Sequence, residues 1–144
     1  NFLDLGCGYG VIGVVAAALR PGATVYMVDV NPRAVELARL NLLANGVENA
    51  RVYQGDGLEP VRGIAFSLVL FNPPIRAGRR EVFRLVREAS AQLTSGGELW
   101  MVAMTRQGAK SLAAGVEALV GEVVEMERRS GYRVFKAKRS ASPE

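Results

Sequence analysis

The sequence predicts an α/β domain built on an open, mostly parallel sheet with helices on both faces. Three observations carry that prediction. Short apolar runs alternate with stretches of helical period along most of the 144 residues. The first apolar run, Phe2 to Leu5, passes directly through Gly6, Gly8 and Gly10 into a helical stretch, and a strand–glycine turn–helix unit is how such a sheet builds a ligand site at its carboxyl edge. The last two apolar runs are separated by only the Ser130-Gly131 turn, so the sheet closes on a hairpin.

Each element has a local cause. Phe2 to Leu5 is long enough for one buried strand, and Val11 to Leu19 is a helix ended by Pro21-Gly22. Ala23 to Val28 is a second strand closing on Asp29. Asn31-Pro32 joins a capping side chain to a proline at the first helical position. The helix it starts runs to about Ala44, burying Val35, Ala38 and Leu42, until Asn45-Gly46 stops it. Ala50 to Gln54 is the third strand, followed by Gly55-Asp56-Gly57. Phe66 to Phe71 is almost wholly apolar, as expected of a central parallel strand covered on both faces, and Asn72-Pro73-Pro74 breaks it. Arg80 to Leu93 repeats Phe83, Val86, Ala89 and Leu93 at helical spacing. Gly96-Gly97 leads into a strand from Glu98 to Met104, and Ala109 to Val120 is a helix facing inward through Leu112, Val116, Leu119 and Val120. Glu122 to Arg128 and Tyr132 to Lys138 form the hairpin. The order is strand–helix five times and then a hairpin, in one domain over residues 1–139 with a disordered tail at 140–144. An opening directly on a strand is also what a chain lacking an upstream segment would show.

Composition excludes several classes. No apolar run approaches a membrane span, and no secretory signal leads the chain. The single cysteine, Cys7, rules out an internal disulfide and fits a reducing cytoplasm. There is no histidine, so Cys7 lacks the usual activating partner of a nucleophile and a zinc site lacks its usual ligands; no metal is expected. The net charge of +4 fits an anionic partner without requiring one.

The glycine loop has two readings. Gly8-x-Gly10-x-x-Gly13 matches the dinucleotide fingerprint, with Asp29 as its ribose-binding acid. The wider pattern Asp4-x-Gly6-x-Gly8-x-Gly10 resembles the first motif of class I S-adenosylmethionine (SAM)-dependent methyltransferases. The order of elements separates them: a dinucleotide dehydrogenase would add a sixth parallel strand and normally a second domain. The closing hairpin instead resembles the Rossmann-like seven-stranded methyltransferase sheet, strand order 3-2-1-4-5-7-6 with strand 7 antiparallel. Asp4, Asp29 and Asp56 close successive strands and so share one crevice. Asp29 suits a ribose diol, Asp56 the adenine amine, and Asp4 the cationic end of the cofactor.

Asn72-Pro73-Pro74 is the most specific feature. It resembles the tetrapeptide of methyltransferases that modify planar amino groups, whether base amines or glutamine amides. Such a nitrogen shares its lone pair with a π-system and is a poor nucleophile. Acceptors on the Asn72 side chain and the Pro73 carbonyl would draw its two N–H groups and aim the lone pair, while tandem prolines keep those acceptors rigid. The extension Phe71 to Gly78, with Gln107 to Leu112 and Gly131 to Val134, resembles the small-domain family related to ribosomal RNA small-subunit methyltransferase C. That resemblance implies SAM as cofactor and transfer to an exocyclic base amine, guanine in ribosomal RNA, or in other branches a protein glutamine. It places catalysis on Asn72, Pro73 and Pro74, and the cofactor on Asp4, Gly6, Gly8, Gly10, Asp29, Asp56 and Asn72. Ile75 stands where base methylases usually carry a stacking aromatic residue, which leaves room for a cofactor-retaining RNA-binding or assembly module without turnover. Ile75, Arg76, Arg80 and Arg84 are the expected substrate contacts, with RNA or a ribosomal subunit as partner and a monomeric state. Arg128, Arg129, Arg133, Lys136, Lys138 and Arg139 form a second basic group on the hairpin.

Overall fold

A computed structural model describes residues 1–105 and 108–140; of Ile75 it describes only the backbone. Residues 141–144 of the expected tail, and Gln107 of the motif noted above, lie outside the described residues. Seven strands form one sheet in the order β3-β2-β1-β4-β5-β7-β6, with β1 Phe2–Leu5, β2 Val25–Asp29, β3 Ala50–Gln54, β4 Phe66–Phe71, β5 Leu93–Met104, β6 Val123–Arg129 and β7 Tyr132–Lys138. β1 to β5 run parallel, and β7 enters antiparallel beside β5. The helices are α1 Val11–Leu19, α2 Pro32–Ala44, α3 Arg79–Gln92 and α4 Ala109–Leu119.

Two expectations need correction. Among the described residues there are four strand–helix units rather than five, because β3 is followed by a single 3-10 turn, Glu59–Val61. Gly55, Gly57, Pro60 and Gly63 crowd that crossover and leave no run that can hold a longer helix. β5 also starts earlier than Glu98. Phe66 pairs with Leu93 and Leu68 with Glu98, so the intervening residues, including Gly96-Gly97, bulge out of the ladder instead of preceding it.

The sheet separates two apolar clusters. The larger joins alternate residues of the central strands, such as Leu3, Phe66, Val69, Leu99 and Met101, to Val82, Val86 and Ala89 of α3 and Leu112 and Val116 of α4. The smaller joins Val25, Met27 and Val52 to Ala17 of α1 and Val35, Ala38 and Leu42 of α2. Among the described residues, the second face is covered only over β1 to β3. Leu68, Leu70, Trp100, Val102 and Val134 stay half-exposed there, so β4 is not buried on both sides as its composition predicted. Val11, Val15 and Leu19 of α1 are exposed as well. Among the described residues no helix is long and apolar enough to cross a membrane.

Caps fix where the site-bearing helices begin. The Asn31 side chain accepts the Arg33 amide at 2.9 Å, with Pro32 at the first helical position, as the sequence indicated. α1 has no side-chain cap at its own N-cap, Gly10. The buried Asp4 of β1 supplies one instead, its Oδ2 accepting the Gly13 amide at 2.9 Å.

The uneven cover of β4 gives a stability test. Phe66 is fully buried, with its ring edge-on to Tyr26, so Phe66→Ala should cost about 3–5 kcal/mol in urea unfolding. Leu70→Ala, on the half-covered face of the same strand, should cost clearly less.

Candidate active site

The cavity that matters opens at the carboxyl ends of β1, β2, β3 and β4. It holds about 300 Å³ and is lined by Leu5, Gly6, Val28, Asp29, Val30, Gly55, Asp56, Gly57, Phe71, Asn72, Pro74, Ala77, Glu81 and Leu85. Of the residues expected at a site, Gly6, Asp29, Asp56, Asn72 and Pro74 therefore converge. Asp4, Gly8, Gly10 and Pro73 do not line it.

The glycine loop is built by hydrogen bonds around its backbone. The amides of Gly6 and Cys7 both donate to the Val28 carbonyl at 2.9 Å, which bends the chain over the end of β2. The Gly8 amide donates to Asp29 Oδ2 at 2.8 Å, and Asp29 Oδ1 accepts the Asn31 amide at 2.9 Å. Both Asp29 oxygens are thus oriented by the backbone, and each keeps a lone pair for a ligand hydroxyl. Gly10 has φ +99°, and a Cβ there would lie 2.9 Å from Met27 Cε and 3.1 Å from Ala38 Cβ. Only glycine satisfies both the turn and the packing.

Asp4 faces away from the cavity. It is 2 % exposed, and burial pushes its carboxyl up from 3.8 to about 7, the Gly13 amide opposing the rise and Asp29 adding to it. Its expected contact with the cofactor is corrected by this geometry: Asp4 holds α1 against β1. Burial, with Asp4 and Asp29 nearby, pushes the Cys7 thiol up to about 12, so Cys7 is no thiolate at neutral pH.

The Asn72 side chain is exposed, and among the described residues nothing bonds to it. The Pro74 carbonyl accepts the Ala77 amide at 2.9 Å, closing a 3-10 turn, Ile75–Ala77, while among the described residues no backbone amide bonds to the Pro73 carbonyl. The acceptors of this segment stay available, and the turn leads into α3.

The arginines after Pro74 divide. Arg76, Arg80 and Arg87 are exposed, and Arg80 and Arg87 border an open pocket beside the main cavity. Arg84 turns inward onto Asp56 Oδ1 at 2.7 Å, Glu81 and Glu88. The expectation that Arg84 meets RNA phosphate fails on this geometry, because three carboxylates against one guanidinium leave its surroundings acidic. On the hairpin, Arg133 is buried against Glu125 and Thr105, Lys136 faces Glu98, and Arg139 donates to the carbonyls of Ser90 and Leu93. Arg128 and Arg133 thus share Glu125 and Lys136 faces Glu98, while the partners of Arg139 are neutral carbonyls. The sequence reasoning missed the Glu81–Arg84–Glu88 cluster, although its spacing of three and four on one helix was a usable signal. It also missed the apolar wall of Leu5, Val28, Val30 and Leu85.

Asp4 sets a pH dependence. Folding raises its pKa, so between about pH 4 and pH 7 the native chain holds a proton that the unfolded chain has released. Stability is fully present below that window and is lost as pH rises through it. At about 1.4 kcal/mol per pH unit, the span is on the order of 4 kcal/mol. Asp4→Asn, which still accepts the Gly13 amide, should abolish that slope in chemical unfolding followed from pH 4 to 8.

Comparison with known proteins agrees with this geometry. The methyltransferase small domain model matches residues 1–136. The chain is 41% identical over 140 residues to the uncharacterized protein YbxB of Bacillus subtilis, covering 96% of this chain and 70% of that one. It is 35% identical over 143 residues to ribosomal RNA small subunit methyltransferase C of Pseudomonas syringae pv. syringae, covering 96% of this chain but 42% of that protein. It therefore spans less than half the length of that relative. Among solved structures, the T. thermophilus 16S rRNA N2 methyltransferase in complex with AdoMet and guanosine superposes with a TM-score of 0.82 at 26% identity, over 96% of this chain and 37% of that one. A methyltransferase from Pyrococcus furiosus gives the same TM-score at 19% identity, over 96% and 74%, a likeness of fold alone. The match extends over nearly the whole chain, and the expected sheet order is the observed one, so this chain belongs to the methyltransferase small domain family of SAM-dependent enzymes.

Proposed function

We propose that the chain is an N-methyltransferase acting on an exocyclic base amine, guanine in ribosomal RNA. The observation that carries this reading is the position of Asn72-Pro73-Pro74. It ends β4 at the rim of the cavity that also holds Gly6, Asp29 and Asp56, so amine acceptors and cofactor contacts share one edge of the sheet. The ribosomal RNA and guanosine named for the relatives support the choice of base.

The residues fit the cofactor. Asp29 accepts the ribose hydroxyls, Asp56 the adenine amine, Val28, Val30 and Leu85 face the purine, and the Gly6 backbone permits close approach. When bound, SAM supplies an electrophilic methyl group. The chain's own task is orientation: Asn72 Oδ1 and the Pro73 carbonyl accept the two N–H groups of the target amine and direct its lone pair. No strong base is needed, because the nitrogen becomes acidic once alkylated. Arg76 and Arg80 hold phosphates outside the pocket, with Arg87 in reach. Arg84 is withdrawn from that set.

Three outcomes test the reading. Asn72→Ala should lower kcat by about a hundredfold or more, within the usual range for a positioned transition-state contact, while SAM affinity measured by calorimetry stays near normal; equal turnover would remove its role. Asp29→Ala should weaken SAM binding severely, with no gain of NAD binding. Neutralising Arg76 and Arg80 together should weaken RNA binding and lower the logarithmic salt slope by about 0.7 to 0.9 for each phosphate no longer neutralised. The substrate class itself is decided by incubating the protein with labelled SAM and total cellular RNA or protein. Label in the RNA as N2-methylguanine supports the proposal, whereas label in protein glutamine or in neither fraction overturns it.

A further inference from the structure

We propose that Arg84 is a positioning residue that fixes Asp56 for recognition of the adenine amine, locking α3 to the loop after β3. The proposal rests on the cofactor reading of the cavity given above, and it assigns to α3 a part in cofactor selectivity.

Asp56 alone is poorly placed to select anything. Its side chain is 63 % exposed, on a loop between two glycines, where a carboxylate would sample several rotamers. Arg84 removes that freedom, donating from Nη2 to Asp56 Oδ1 at 2.7 Å and leaving Oδ2 for a ligand N–H. The guanidinium is itself held from two sides. Its Nε donates to Glu81 Oε2 at 2.9 Å, and its Nη1 donates to Glu88 Oε2. A planar fork engaged on several edges has little rotamer freedom left, which a lysine could not reproduce.

Glu88 carries the lock into the loop backbone. Its Oε1 accepts the Leu58 amide at 3.1 Å. Gly57, at φ +59°, makes that approach possible, since a Cβ there would lie 2.5 Å from the same oxygen. The chain Leu58 amide–Glu88–Arg84–Asp56 therefore ties both the backbone and the side chain of the loop to one helix. Glu81 lies on the cavity wall as well as on Arg84, so the network reaches the ligand space directly. Because its charge is consumed by carboxylates, Arg84 serves orientation and not phosphate binding.

The test compares binding of S-adenosylhomocysteine with binding of its analogue in which hydrogen replaces the 6-amino group, by calorimetry on the full chain. Wild type should prefer the amine-bearing ligand by about tenfold, the worth of one hydrogen bond to a charged acceptor. Arg84→Met should reduce that preference to about twofold or less, and Arg84→Lys should restore it only partly. Asp56→Asn should also lose it, and the Asp56→Asn/Arg84→Met double variant should lose no more than Asp56→Asn alone. Equal weakening of both ligands in Arg84→Met, with the preference intact, would overturn the proposal by making Arg84 a general brace. The Asp56→Asn comparison does not depend on how well any Arg84 variant folds, and a preference unchanged there would also overturn it. A wild type that binds S-adenosylhomocysteine without preference would remove the assignment of Asp56 and the proposal together. A wild type that binds neither ligand would remove the cofactor reading itself.

Discussion

The buried hydrogen bond from the Gly13 amide to Asp4 holds the first strand to the first helix, and the glycine loop is suspended between the two. A carboxylate placed there meets an unfavourable environment, as its raised pKa shows. It is tolerated because it satisfies an amide that α1 cannot satisfy from its own N-cap. With the ends of the loop fixed, Gly10 can sit against Met27 and Ala38, and Asp29 can take the Gly8 amide. The floor of the cavity is thus set by carboxylates bonded to backbone before any ligand arrives. Orientation established in advance lowers the ordering cost of binding.

The charges of the molecule sort by distance from that floor. Around the end of the cavity that holds Asp56, the carboxylates of Asp29, Asp56, Glu81 and Glu88 outweigh the single Arg84. That balance suits a cofactor that carries positive charge and would repel a polyanion. Arg76, Arg80 and Arg87 lie outside, exposed, on the side where the chain leaves Pro74. Under the proposed function, the RNA would be held at this rim while only its target base enters. The hairpin contributes less to this field than its composition suggests, because Arg133 and Lys136 face carboxylates inside the fold.

Much of this was legible in the sequence, and the limits have physical causes. A glycine turn at one end of the chain and a helix-free hairpin at the other, both local signals, carried the resemblance that implied the strand order. Asp29, Asp56 and Asn72 meet at one cavity, as residues closing successive strands of such a sheet must. Asp4 lies one residue before the end of β1 and points into the core; strand position gives the edge, and the pleat decides the face. Arg84 was misread for a related reason. Arg80 and Arg87 drew the reading toward phosphate, while Glu81 and Glu88 at helical spacing and Asp56 from the loop after β3 are what its guanidinium meets. The half-bare face of β4 was hidden because Leu68 and Leu70 are as apolar as their covered neighbours. The missing helix after β3 was foreshadowed by Gly55, Gly57, Pro60 and Gly63, whose combined weight exceeds that of the short apolar stretch between them.

The most direct measurement of the central claim is a crystal structure of the protein with S-adenosylhomocysteine bound. The ribose hydroxyls should lie on Asp29, the adenine amine on the free oxygen of Asp56, and the homocysteine sulfur should turn toward the Asn72 side chain. A ligand seated with its ribose away from Asp29, or with Asn72 remote from the sulfur, would contradict that claim.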